Sequence, residues 1–293
     1  MLLGLAAIWG SSFMLIEVAL EDLDPGVLIW GRIALSALTL AAIAPFVVGR
    51  GTLDELRANL GPLAVLGLAN TTVPFLLIAW GQQYLDSGVA AILNASSPLF
   101  TVVLALAMSR SQRVTGIRLA GFLVGFVGVA LVVGGEPSGG RDAVVASFAV
   151  LAASALYAFG ALYAGRRLGA VPPVVVALGS SVTATLFTLP IALAQLPGDR
   201  FTWDATAAVV VLGIPATGIA LLVYYALIAG AGASRAILVT YLVPTLAVVY
   251  GAVFLDEPLT AVRLGGLGLV LAGVAIGTGA MRGRRRVAAR VTA

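Results

Sequence analysis

The chain has 293 residues, of which 60% are hydrophobic and only 10% charged, with a formal net charge of +4. Soluble domains carry about 25% charged residues, so a water-soluble globule is excluded. Cysteine and histidine are both absent, which removes disulfides, thiolate chemistry, haem ligation, nearly all zinc sites and the commonest general base.

Uncharged runs at 58–85, 87–109, 143–165, 168–198 and 205–234 each exceed the roughly 20 residues that cross a bilayer as a helix. The alternating ten-residue segments of a β-barrel are missing. The expected fold class is therefore an all-α polytopic membrane protein. Apolar stretches and the Gly, Pro and charged joins between them predict ten transmembrane helices, at about 2–20, 27–48, 60–80, 86–108, 115–134, 144–165, 172–196, 204–226, 231–254 and 262–281. The first lacks the positive n-region of a signal peptide and turns polar at Ser11, Ser12 and Glu17, so it reads as a spanning helix. A start upstream of Met1 is compatible with that reading.

Arginine sets the orientation, since the sequence has no lysine. With the N-terminus inside, the cytoplasmic segments hold Arg50 and Arg57; Arg110, Arg113 and Arg118; Arg166 and Arg167; Arg235; and Arg282, Arg284, Arg285, Arg286 and Arg290. The outer segments hold only Arg141, Arg200 and Arg263. The positive-inside rule then puts both termini in the cytoplasm of a multi-pass protein of the cell membrane. The basic tail at 282–293 is a positive-inside stop and does not mark a nucleic-acid partner.

The chain repeats itself. At an offset of 145, Ala91-Ile92-Leu93 falls on Ala236-Ile237-Leu238, Arg118-Leu119 on Arg263-Leu264, Gly121 on Gly266 and Gly128-Val129-Ala130 on Gly273-Val274-Ala275. At 148, Trp9 falls on Tyr157, Pro25 on Pro173 and Gly31 on Gly179. Residues 1–135 and 144–281 thus read as two five-helix units. Five is odd, so the second unit must be inverted relative to the first, an arrangement common in secondary transporters.

The N-terminal IWGSSF with Pro25 and Arg32, the Asn94-x-x-Ser97-Pro98 of the fourth predicted helix, and FLDEPLTAVRLGGLGLVLAGVAIG at 254–277 resemble the EamA domains of the drug/metabolite transporter superfamily. The resemblance covers essentially the whole chain. It implies a ten-helix carrier of small metabolites, often an exporter. The family pattern usually has an acid after the fourth helix, where this chain has Ser111-Gln112; the matching Glu257 is present.

Trp9, Ser12, Phe13, Ile16 and Glu17 follow i, i+3, i+4, i+7, i+8 spacing and share a face of the first helix. A carboxylate in a membrane helix is costly unless paired or wet, and Arg32 enters the second helix from the same side. A Glu17–Arg32 ion pair is expected, beside snorkelling to water and a substrate- or proton-coupling contact. Pro74, Pro98 and Pro244 lie four residues after Asn70, Asn94 and Thr240, so each proline frees the carbonyl of a polar residue. In hydrocarbon such a carbonyl needs a new partner or a wet cavity, which gives either a hydrogen-bonded helix bend or a substrate site. Pro190 and Pro215 follow Leu186 and Val211 and read as plain kinks. The expected cavity residues are Trp9, Ser12, Phe13, Glu17, Asn70, Asn94, Ser97, Tyr157, Tyr224, Thr240 and Tyr241, with Tyr157 facing Trp9 across the axis. Gly121-x-x-x-Gly125 permits close helix approach, within the chain or in a homodimer.

The reading is a secondary active or facilitative carrier, working by alternating access on small organic metabolites such as amino acids or drug-like amphipaths, in the lipid bilayer and without a cofactor or metal. No Walker motif is visible. A membrane enzyme acting on a lipid-linked substrate is the alternative, but its acids, Asp256-Glu257 and Glu21/Asp22/Asp24, read as solvated turns. A sensor or assembly subunit is the other.

Overall fold

The computed structural model describes residues 1–108, 116–135, 140–198, 200–231 and 239–278. Arg110, Arg113, Ser111-Gln112, Glu136, Arg235 and the tail at 282–293 lie outside them, as do the side chains of Arg50 and Arg118. In chain order the helices are α1 (Leu2–Leu20), α2 (Pro25–Val48), α3 (Thr52–Ala58), α4 (Leu60–Leu66), α5 (Val73–Gly81), α6 (Ser87–Asn94), α7 (Ser97–Met108), α8 (Gly116–Gly134), α9 (Gly140–Arg167), α10 (Pro173–Gln195), α11 (Trp203–Gly213), α12 (Ala220–Ala231), α13 (Val239–Phe254) and α14 (Ala261–Gly277). A π-turn at Gly67–Thr72 joins α4 to α5, and another at Ile214–Ile219 joins α11 to α12. Among the described residues there is no strand, and 7 helical spans are long and apolar enough to cross a membrane, with shorter apolar helices at Leu119–Gly134, Val239–Phe254 and Ala261–Gly277. The molecule is an all-helical polytopic membrane protein.

Local chemistry sets the ends of these helices. Pro25 and Pro173 sit in the first turns of α2 and α10, where a missing N–H costs nothing. The hydroxyls of Thr202 and Thr260 accept from Ala205 N and Arg263 N and cap α11 and α14. Gly49, at φ +79°, ends α2 in a conformation that side chains disfavour. Residues 49–59, a plain join in the sequence reading, instead form a 3-10 turn and α3.

The fourth predicted helix, continuous over 86–108 from its sequence, is broken between α6 and α7. Pro98 cannot donate to Asn94 O. Ser97 Oγ donates to that carbonyl at 2.7 Å, and Ser96 Oγ donates to Leu93 O at 2.6 Å. The two serines supply the donors that the helix lost.

Among the described residues the most extensive helix pairing is α8 against α14. A Cβ at Gly121 would meet the backbone of Gly277, one at Gly128 the backbone of Val270 at 2.8 Å, and one at Gly273 the backbone of Gly125. The glycines found by sequence therefore pack within the chain. Other main contacts join α2 to α10, α1 to α13, α5 to α9 and α6 to α13. Large apolar side chains such as Phe46, Leu123, Val127, Leu186 and Leu193 stay exposed, as expected for surface that meets lipid.

Gly273→Val should overpack the α8–α14 seam, costing about 3 kcal/mol or more and lowering the thermal midpoint in detergent. Gly268→Val, which meets nothing within 4 Å, should leave that midpoint unchanged.

Candidate functional site

The interrupted helices put polar groups in the middle of the molecule. In the second π-turn, Thr217 Oγ1 donates to Leu212 O at 2.8 Å, a carbonyl five residues back, and accepts from Arg32 Nε at 2.9 Å. Ala216 O in the same turn accepts from Trp9 Nε1 at 3.1 Å. Pro215 is therefore more than the plain kink expected: it opens a turn that serves two long-range bonds. The first π-turn carries Asn70, and Gly160 of α9 leaves the room that its side chain fills. Pro74 is buried just after that turn.

Side chains of three other elements gather around Arg32: Thr217, Phe75 and, behind Phe75, Tyr157. The residue is 8% exposed, and its guanidinium carbon lies 4.3 Å from the centroid of the Phe75 ring. Phe75 packs edge-on to Tyr157, with ring centroids 6.4 Å apart. On the other side of the core Trp9 tilts against Tyr224 at 5.3 Å. The expected Trp9–Tyr157 pair is not made; each ring instead packs against an aromatic of another helix.

The remaining candidates are dispersed. Ser12 is buried and its hydroxyl is spent on Ile8 O. Phe13 is buried, and its carbonyl accepts from Gln82 Nε2 at 2.9 Å. Asn94 Oδ1 and Asn94 O both lie 3.5 Å from Ser154 Oγ. Tyr241 OH is 3.4 Å from Thr278 Oγ1, and Thr240 is half-buried beside it. Pro244 is buried inside α13.

The Glu17–Arg32 pair does not form. Arg32 bonds Thr217, while Glu17 Oε2 is buried without a hydrogen-bond partner. The electrostatic neighbours of Glu17 are the Ser87 amide and the carboxylates of Glu257, Asp86 and Glu21. The two groups face different parts of the core.

Glu257 is the largest departure from the sequence reading. Its side chain is 6% exposed, so it is not a solvated turn. Oε1 accepts from Ser87 N at 2.9 Å and from the Ser87 hydroxyl, and Oε2 accepts from Gly88 N at 3.0 Å. One carboxylate thus caps the N-terminus of α6, where negative charge is favoured. Gly251 and Gly88 make room for it: a Cβ at either would lie within 3.0 Å of the carboxyl group. Asp256, at φ +55°, turns the chain so that Glu257 points back. Arg263, 5% exposed, reaches Asp86 Oδ2 at 2.5 Å, Pro258 O at 3.2 Å and Glu257 Oε2 at 3.9 Å. The cluster fastens the ends of α5–α6 and α13–α14 together. A carboxylate one turn beyond a helix end, with an arginine six residues on, was its sequence signal.

A profile of the EamA-like transporter family matches residues 1–134 and again 144–278. The chain is a member of the EamA-like transporter family. The family and its named relatives are transporters, not enzymes. A probable terminal-alkyne amino-acid exporter of Streptantibioticus cattleyicolor is 29% identical over 96% of this chain and 93% of its own length. A probable amino-acid metabolite efflux pump of Escherichia coli is 27% identical over 96% and 94%. An uncharacterized transporter of Archaeoglobus fulgidus is 26% identical over 92% and 94%. One solved crystal structure superposes with a TM-score of 0.66 at 20% identity, over 94% of this chain and 95% of that one. That likeness concerns the fold alone.

Glu257→Ala should strand the Ser87 and Gly88 amides and uncover Arg263, at a cost of about 3 kcal/mol. Glu257→Gln, which keeps acceptor oxygen but loses charge, should cost less. Thermal unfolding of the two variants in detergent checks the order.

Proposed function

We propose that this EamA-family transporter is a ten-helix carrier of two inverted five-helix units, 1–135 and 144–281, that exports small organic metabolites across the cell membrane by alternating access. In this reading both termini are cytoplasmic, and the face carrying the α1–α2 turn and the Glu257 cluster is outside. The arginine distribution supports that orientation.

The observation that carries the reading is the match between the two halves at the site. The π-turns at Gly67–Thr72 and Ile214–Ile219 are each six residues long and lie 147 apart. Gly67 packs against the carbonyl of Ser180, and Gly213 against that of Arg32, whose positions differ by the 148 of the helix-2 repeat. The aromatic pairs Trp9–Tyr224 and Tyr157–Phe75 correspond in the same way. In the α8–α14 seam, exchanging partners at offset 145 turns the Gly121–Gly277 contact into Val132–Gly266, and Gly125–Gly273 into Gly128–Val270. A twofold axis in the membrane plane would produce these correspondences, and a central layer of interrupted helices is where such carriers hold cargo.

Small, largely uncharged surroundings suit an amino acid or a drug-like amphipath. The names of the exporter and efflux-pump relatives favour the first cargo and the outward direction. Substrate or proton contacts of Glu17, Asn70, Asn94, Thr240 and Tyr241 belong to the same reading. Two measurements test it. Purified protein in proteoliposomes should give saturable counterflow of labelled amino acids that Asn94→Leu abolishes; absence of exchange from folded protein sinks the carrier. The chain has no native cysteine, so single reporters are clean. Phe201→Cys should react with an impermeant thiol reagent from outside intact cells and Leu53→Cys only from inside. The reverse pattern would invert the orientation.

A further inference from the structure

We propose that Arg32 is the carboxylate anchor of the central site, so that the cargo is a molecule with a free carboxylate held by the two terminal nitrogens of its guanidinium. The inference rests on the carrier reading above and narrows it to a substrate class.

Arg32 lies in the third turn of α2, in the apolar core. A buried cation in a membrane protein is normally met by an acid. The ion pairs among the described residues belong to Arg263, with Asp86 and Glu257. For Arg32 the protein supplies a neutral hydroxyl and a ring face. Thr217 Oγ1 takes the Nε–H at 2.9 Å, and Arg32 Cζ lies over the Phe75 ring, 4.3 Å from its centroid. Neither neutralises the charge, although the ring face attracts it.

Both contacts orient the group. Nε is held at one edge by Thr217, Cζ sits over the Phe75 ring, and Phe75 packs edge-on to Tyr157. This leaves the outer edge, Nη1 and Nη2. Among the described residues neither nitrogen has a hydrogen-bond partner. Yet the buried polar atoms without partners are Glu17 Oε2, Trp30 Nε1, Ser36 Oγ, Thr72 Oγ1 and Gln82 Oε1, and the Arg32 nitrogens are not among them. The two terminal nitrogens therefore each keep some accessible surface, beside Phe75 of α5 and Thr217 of the second π-turn. A planar, permanently charged fork, held at the back and free at the front, is the geometry that takes a carboxylate through two parallel N–H···O bonds. Thr217 is a positioning residue here, since it acts through Arg32.

The test uses the full chain. Counterflow in proteoliposomes is measured with a labelled pool of amino acids and, in parallel, with the same pool as C-terminal amides. The thermal midpoint in detergent is read with each pool. The acids should exchange and stabilise, and the amides should do both at least about tenfold more weakly. Arg32→Lys keeps the charge but loses the fork, and should raise the half-saturating concentration about tenfold. Arg32→Gln should abolish stabilisation by the acids. If Arg32→Gln does not fold, Thr217→Val carries the test: it should raise half-saturation severalfold, with rescue by Thr217→Ser. Equal exchange of acids and amides overturns the anchor and leaves the carrier standing. Stabilisation by acids without exchange upholds the anchor and sinks the carrier. Neither exchange nor stabilisation overturns both.

Discussion

A carbonyl that loses its helical donor inside a bilayer must find another, because no bulk water is there to replace it. Much of the middle of this protein follows from that constraint. Pro98 releases Asn94 O, and Ser97 Oγ takes it up. The second π-turn leaves Leu212 O to Thr217 Oγ1 and Ala216 O to Trp9. Phe13 O, inside the unbroken α1, takes Gln82 Nε2 as an added donor from across the core. Each repair brings a polar side chain to a depth where none would otherwise be stable. The repairs in α6–α7 and in the second π-turn hold those helices in interrupted form while leaving hydroxyl, amide and aromatic groups facing the core.

The two buried arginines show how differently one charge can be housed. Arg263 has a full set of partners: one carboxylate at 2.5 Å, a second at 3.9 Å and a backbone carbonyl. It closes a cluster that fastens helix ends. Arg32 has an oriented frame without a counter-ion. The first arrangement is a fastening, and the second is suited to recognition.

Much of the helical framework was legible in the sequence because its signals are local. Uncharged runs and the Gly, Pro and charged joins between them act within a few residues, and the expected and observed helix ends agree closely for α1, α2, α8 and α10. The site was legible only in part. Counting four residues back from each proline found Asn94, where an α-helix is broken. It missed Thr217, which lies two residues after Pro215 and bonds a carbonyl five back, because the local helix is a π-turn and not an α-helix. Glu17 and Arg32 looked like partners because sequence gives depth along a helix but not rotation about it. Glu257 looked solvated because its partners Ser87 and Gly88 come from about 170 residues away, and no local pattern connects them.

The α8–α14 seam has a mechanical consequence. Glycine meets backbone at Gly121–Gly277, Gly125–Gly273 and Gly128–Val270, and the stiff β-branched side chains of Val132 and Val262 fill the space at Gly266 and Gly135. Separating the two helices would open gaps along their length, and each gap would forfeit dispersion contacts that lipid chains fit poorly. The seam therefore behaves as a stiff spine. Any displacement of the two halves has to be absorbed elsewhere: at the Ala95–Ser96 break, and at the two π-turns, whose wider rings let a helix change pitch without breaking. Thr217, which holds the guanidinium of Arg32, belongs to the second of those turns.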